Sequence, residues 1–199
     1  MKRTLLLIIF ISLSLCGRAF SQLKLETAIV DQYYCPGDDD LDGLSLNLKL
    51  EFTNVGAQTI ILDRDSSQIG QMIVSKNDNG VVGDREANPV FTWVSSGEWK
   101  ATTADLNRLF VTLMPNETYE TTTTARVFVF RENRSGIPGA VGNGKHFLRL
   151  RVSTWFGSRA DADRLQESWK ERGKVWTNSV LSEPMPFTVV PNRRLTKCR

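Results

Sequence analysis

The chain has 199 residues, a formal charge of +3, a single histidine and three cysteines. The first 21 residues hold Lys2, Arg3 and Arg18 and no acid, so the remaining chain is formally neutral, without the broad basic surface that nucleic-acid binding needs. One histidine also rules out centres built from several histidines, and the length suits one domain with a core of its own.

Lys2-Arg3, the apolar run Thr4 to Leu15 and the small residues Ala19 and Ser21 predict a cleavable secretory leader over 1–21, cut after Ser21. The apolar run is short for a membrane span, and no other stretch of the sequence is long and apolar enough for one. A lipidated Cys16 is the competing reading, but Leu15 stands where lipoprotein signals want a small residue. The expected product is a secreted or periplasmic single domain, 22–199, in which Cys35 and Cys198 remain as an even pair. In an oxidising compartment they are expected to form a disulfide.

Leu23 to Val30 suggests a first strand, and the proline, glycines and aspartates of Cys35 to Gly43 predict a loop. Leu44, Leu46, Leu48, Leu50 and Phe52 alternate with polar residues, which makes a strand with one dry face. Asn54-Val55-Gly56-Ala57 is expected to turn it into a hairpin with Thr59 to Leu62. Gln71 to Ser75 follows, closed by a turn at Lys76 to Gly80 with Val81-Val82 pairing back, then apolar runs at Pro89 to Val94 and Phe110 to Leu113. Thr118 to Phe130 is the longest β-rich run, expected to be covered on both faces at its end, where Val127 and Val129 oppose Phe128 and Phe130. Leu148, Leu150 and Val152 mark another strand. Ser158 to Arg172 reads as one helix stopped by Gly173, with Ala162, Leu165 and Trp169 on its apolar face and Asp163, Glu167, Lys170 and Glu171 in water. Val180 to Val190 returns to strand, confined by Pro184 and Pro186 to an edge or bulge, and a basic tail spans 191–199. The expectation is an all-β fold, an immunoglobulin-like antiparallel β-sandwich with one α-helix inserted before the last strand.

Leu46-x-Leu48-x-Leu50-x-Phe52-x-Asn54-x-Gly56, Ile60-Ile61-Leu62 and Leu113-x-Pro115-Asn116-Glu117 resemble the secreted immunoglobulin-like or fibronectin-III-like domains found in many bacterial proteins of unknown function. They are similar too to small proteinase-inhibitor-like sandwiches, which carry a Leu-x-Pro-Gly-Glu turn where this chain has Asn116. The resemblance spans about half the chain. It implies a fold and a binding or structural role, and no catalytic residues.

Triad, histidine-zinc and histidine general-base chemistry would all pass through His146, which has no nucleophile elbow or second metal ligand nearby. Asp38-x-Asp40-x-Asp42-Gly43 matches the first half of a calcium loop, but the twelfth position is Lys49 instead of the bidentate glutamate. A solvated acidic loop, balanced by Arg193, Arg194, Lys197 and Arg199 of the tail, is the favoured reading, and no cofactor is expected. Trp155, Trp169 and Trp176 bracket the helix as a core seal or as a ligand platform. Asn116-Glu117-Thr118 and Asn133-Arg134-Ser135 are glycosylation sequons that matter only in a eukaryotic host. The expected function is a secreted, non-enzymatic module that binds a protein or cell-surface component. The alternatives are a carbohydrate-binding module using the tryptophan cluster and, third, a hydrolase using a carboxylate pair.

Overall fold

The computed structural model describes residues 22–37, 40–64, 69–78, 86–87, 109–131, 140–153, 155, 158–191 and 194–196. Their strands are β1 (Leu23–Pro36), β2 (Leu41–Asn54), β3 (Ile60–Asp63), β4 (Ile69–Ser75), β5 (Glu86–Ala87), β6 (Phe110–Leu113), β7 (Thr118–Phe130), β8 (Ala140–Val141) and β9 (Gly144–Ser153). Helix α1 (Arg159–Trp169) follows, then β10 (Lys174–Val175), β11 (Ser179–Leu181) and β12 (Met185–Val189). Among the described residues the fold is all-β, with antiparallel-rich sheets and one short helix. None of the described helices is long and apolar enough to cross a membrane.

One sheet runs β1-β2-β7-β8, and another runs β11-β9-β4-β5 with β12 also on β9. Their inner faces share one core, in which Leu44, Leu46, Leu48, Leu50 and Phe52 of β2 meet Val127 and Val129 of β7, Leu148 and Leu150 of β9, and Met72 of β4. The alternation in β2 works as expected from Leu46 onward, since Asn47, Lys49, Glu51 and Thr53 stay only half-buried on its other face, whereas Ser45 is buried beside Cys35. β11 and β12 form one interrupted partner of β9, Leu181 facing Arg151 and Met185 facing Leu148. Ser182 spans the break: its amide donates to Leu150 O (2.9 Å) and its Oγ accepts from Leu150 N (3.0 Å). The bulge expected around Pro184 is thereby kept inside the sheet.

The expected β2–β3 hairpin does not form. β2 pairs β1 and β7, whereas β3 joins a separate sheet of order β10-β3-β6. The cause is Asn54, fully buried, whose Nδ2 donates to Gln58 O and Leu113 O (2.8 and 2.9 Å) while its Oδ1 accepts from Gly56 N (3.0 Å). These bonds make a corner from one sheet to the next, so that β3 is covered on both faces. Ile60 and Leu62 enter the main core, and Ile61 joins Phe110, Leu165, Trp169 and Val175 under the helix.

The loop expected over Cys35 to Gly43 is also shorter. Cys35 and Pro36 end β1, and Leu41, Asp42 and Gly43 begin β2, so the hairpin pairs β1 with β2. The strand expected to stop at Val30 continues through a bulge between Ile29 and Asp31 to Pro36. Phe128 departs from its expected burial: it is 48% exposed, while Val127, Val129 and Phe130 are buried. Val81-Val82, Pro89 to Val94, the leader and Cys198 lie outside the described residues. At Met114-Pro115-Asn116-Glu117 the Glu117 amide closes a β-turn on Met114 O (3.0 Å) with Asn116 at φ 67°. Asparagine tolerates this left-handed position, which explains how it stands in glycine's place.

The helix site and the other candidate residues

α1 begins in a capping box. Ser158 Oγ accepts from Asp161 N (3.1 Å), Ser158 N donates to Asp161 Oδ2 (3.1 Å), and Arg164 pairs with the same carboxylate. The Ser158 hydroxyl and then Arg164 hold the Asp161 carboxyl below its ordinary pKa. The helix ends at Trp169, before the expected Arg172. Its last carbonyl accepts from Arg172 N and Gly173 N (2.8 and 3.2 Å), and Gly173 at φ 150° turns the chain against Thr59 O, where a Cβ would sit 2.9 Å away. Lys174 N then donates to Thr59 O (2.9 Å) and Trp176 N to Ile61 O (2.9 Å), setting β10 parallel to β3.

The three tryptophans do not form one platform. Trp169, 1% exposed, meets Phe110 edge-on at 5.0 Å, and Trp176 is buried in the main core. Trp155 is half-buried beside Leu165 and Val175, with its Nε1 donating to Ser158 O (3.3 Å). It lines one end of a cleft of ≈ 540 Å³ between α1 and the β10–β11 connection. Arg159, Asp163 and Gln166 lie on the helix wall, and Lys174, Thr177 and Asn178 on the other. Gln166 braces these walls, its Oε1 accepting from Val175 N (2.9 Å) and its Nε2 donating to Gly173 O (3.2 Å). The helical spacing of Ala162, Leu165 and Trp169 is readable in the sequence, whereas the cleft residues look there like ordinary solvent-facing charges.

His146 is buried, its ring stacked on Phe187 at 5.5 Å and its Nε2 donating to Gly142 O (2.8 Å). These contacts give the ring a packing role at the start of β9. Asp42, 3% exposed, receives a hydrogen bond from Arg131 Nε (2.8 Å). Arg131 also donates through Nη2 to Gly37 O (2.7 Å) and through its amide to Asp40 O (2.9 Å). The acidic hairpin thus takes one counter-charge from the end of β7, and Arg193, Lys197 and Arg199 of the tail lie outside the described residues. Asp38 lies outside the described residues. Across β1, β2 and β7, Glu26, Glu51 and Glu120 stand in one row. Lys49 pairs with Glu51 and Glu120, and holds the Glu120 carboxyl below its ordinary pKa, opposite to the upward shift of a glycosidase acid.

Cys35 is buried, its Sγ 3.4 Å from Ser45 Oγ. Beside it Thr196 N donates to Tyr34 O (2.7 Å), and Leu195 bridges Tyr34 in parallel. Compared with known proteins, the chain matches no family model, no curated protein and no solved structure.

Proposed function

We propose that this protein is a secreted, non-enzymatic binding module of immunoglobulin-like type, which holds a protein or other cell-surface component through the cleft beside Trp155. The strand orders support the fold reading: β1-β2-β7 corresponds to strands A-B-E of an immunoglobulin sandwich, and the β11/β12-β9-β4-β5 sheet to G-F-C-C′. The observation that carries the function is the helix's charge pattern. Asp161 pairs with Arg164 and Glu167 with Lys170, whereas Arg159 and Asp163 face the cleft with no hydrogen bond or ion pair to another described residue. The tail docked along Tyr34 supports a Cys35–Cys198 disulfide that clasps the two ends of the domain.

Labelled protein added to intact cells of the organism that makes it is expected to bind saturably. An Arg159→Ala/Asp163→Ala variant is expected to lose that binding while keeping its circular dichroism spectrum. Undiminished binding by the double variant would overturn the reading. The bridge is checked by intact mass after alkylation without reductant, where two modified thiols in the mature chain would contradict it.

A further inference from the structure

We infer that the cleft beside Trp155 is a subsite for an acidic saccharide, a pyranose chain bearing uronate carboxylates; the inference rests on the binding-module reading above. The cleft's ≈ 540 Å³ falls within the roughly 300–1,000 Å³ of small-ligand sites, and suits a sugar unit better than a broad protein surface.

Three features select the chemistry. The indole of Trp155 is held by its Nε1 bond to Ser158 O, and its backbone by Ser153 Oγ donating to its carbonyl (3.2 Å), so it offers the cleft an aromatic surface at little entropic cost. The C–H face of a pyranose is the natural partner of such a surface. Asp163 and Asn178 supply an acceptor and an amide for the ring hydroxyls, and neither is engaged by a described residue. Arg159 and Lys174 outnumber Asp163, which leaves a net positive cleft in a formally neutral mature chain. A guanidinium fork and an ammonium are matched by a carboxylate, and a neutral sugar leaves that excess charge unused.

The test titrates the full secreted chain with oligomers of galacturonate and of glucuronate, a neutral glucose oligomer of equal length and an Asp/Glu peptide of equal charge. Calorimetry and tryptophan emission follow binding. At least one uronate oligomer is expected to bind saturably, about tenfold or more tighter than the neutral oligomer and the peptide, with affinity falling as salt rises. Trp155→Ala and Arg159→Gln are each expected to weaken it about tenfold or more, as anchor residues do. Trp155→Phe should retain most of the binding, and Glu167→Gln, on the same helix outside the cleft, should change nothing. Arg159 is exposed, so its variant keeps the test valid if Trp155→Ala misfolds. Failure of both uronates to bind, equal binding of peptide or neutral sugar, or indifference to Arg159→Gln would each overturn the inference. If no saccharide binds but Arg159→Ala/Asp163→Ala still abolishes attachment to cells, the saccharide assignment alone falls. If attachment survives that variant, the binding-module reading falls with it.

Discussion

β2 and β3 are neighbours in sequence and opposites in environment. From Leu46 to Thr53 of β2 each buried apolar residue is followed by a half-buried polar one, because there one face meets the core and the other meets water. In β3 Ile60, Ile61 and Leu62 are buried in succession, because the main core lies on one side and α1 on the other. The difference teaches that alternation marks a strand covered once, and an unbroken apolar run marks a strand covered twice. The two runs invite a hairpin reading when joined by a turn-like Asn-Val-Gly-Ala, yet a strand covered twice belongs in a different layer from one covered once.

The largest effect should come from removing the lid of β3. Trp169→Ala is expected to cost about 3–5 kcal/mol, since the indole fills the space over Ile61 and against Phe110. A denaturant midpoint close to wild type would mean that α1 does not seal β3. Next, Leu48→Ala and Ile61→Ala should each cost about 2–5 kcal/mol, although one lies in an alternating strand and the other in a continuous run. The sharper form of this comparison adds the next residue along each strand. Lys49→Ala should behave as an exposed-surface change, while Leu62→Ala should match Ile61→Ala, and equal costs along β2 would break the contrast.

Asn54→Ala should cost about 1–3 kcal/mol, because its loss leaves the buried Leu113 carbonyl without this donor, whereas the Gln58 carbonyl keeps Gln22 Nε2. The damage should appear in hydrogen exchange at the Asn54 to Thr59 corner and at Leu113, and uniform exchange across the domain would refute the corner's role. The smallest effect is at the helix start. Folding lowers the Asp161 pKa, so the capping contribution is present above the unfolded aspartate value of about 3.9 and is lost as pH falls through the folded one. Backbone shifts of Ser158 to Ala162 should therefore hold constant from neutral pH down to that range and move only below it, and Ser158→Ala should cost about 1 kcal/mol.

Local patterns made much of the fold legible. The β-branched run Thr118 to Phe130 is β7, alternation marks Leu148 to Val152 within β9, and the spacing of Ala162, Leu165 and Trp169 marks α1, which ends at Trp169 ahead of the Gly173 stop. What stayed illegible depends on partners distant in sequence. Asp42 looked like one more loop aspartate until Arg131 met it, and Asn54 looked like a turn residue until its amide reached Leu113. The same holds for the site. Trp155 stands out as an aromatic, but Arg159 and Asp163 become notable only because one wall of a cleft separates them from the paired charges around the rest of α1. No periodicity encodes that distinction.

The central claim, that consecutive strands β2 and β3 belong to different sheets, is tested most directly by cross-strand nuclear Overhauser effects in isotope-labelled protein. The account predicts contacts of Leu48 with Ile29 and Thr123, and of Ile61 with Thr112 and Val175. Backbone contacts pairing Leu50 or Phe52 with Ile60 to Leu62 across a hairpin would contradict it.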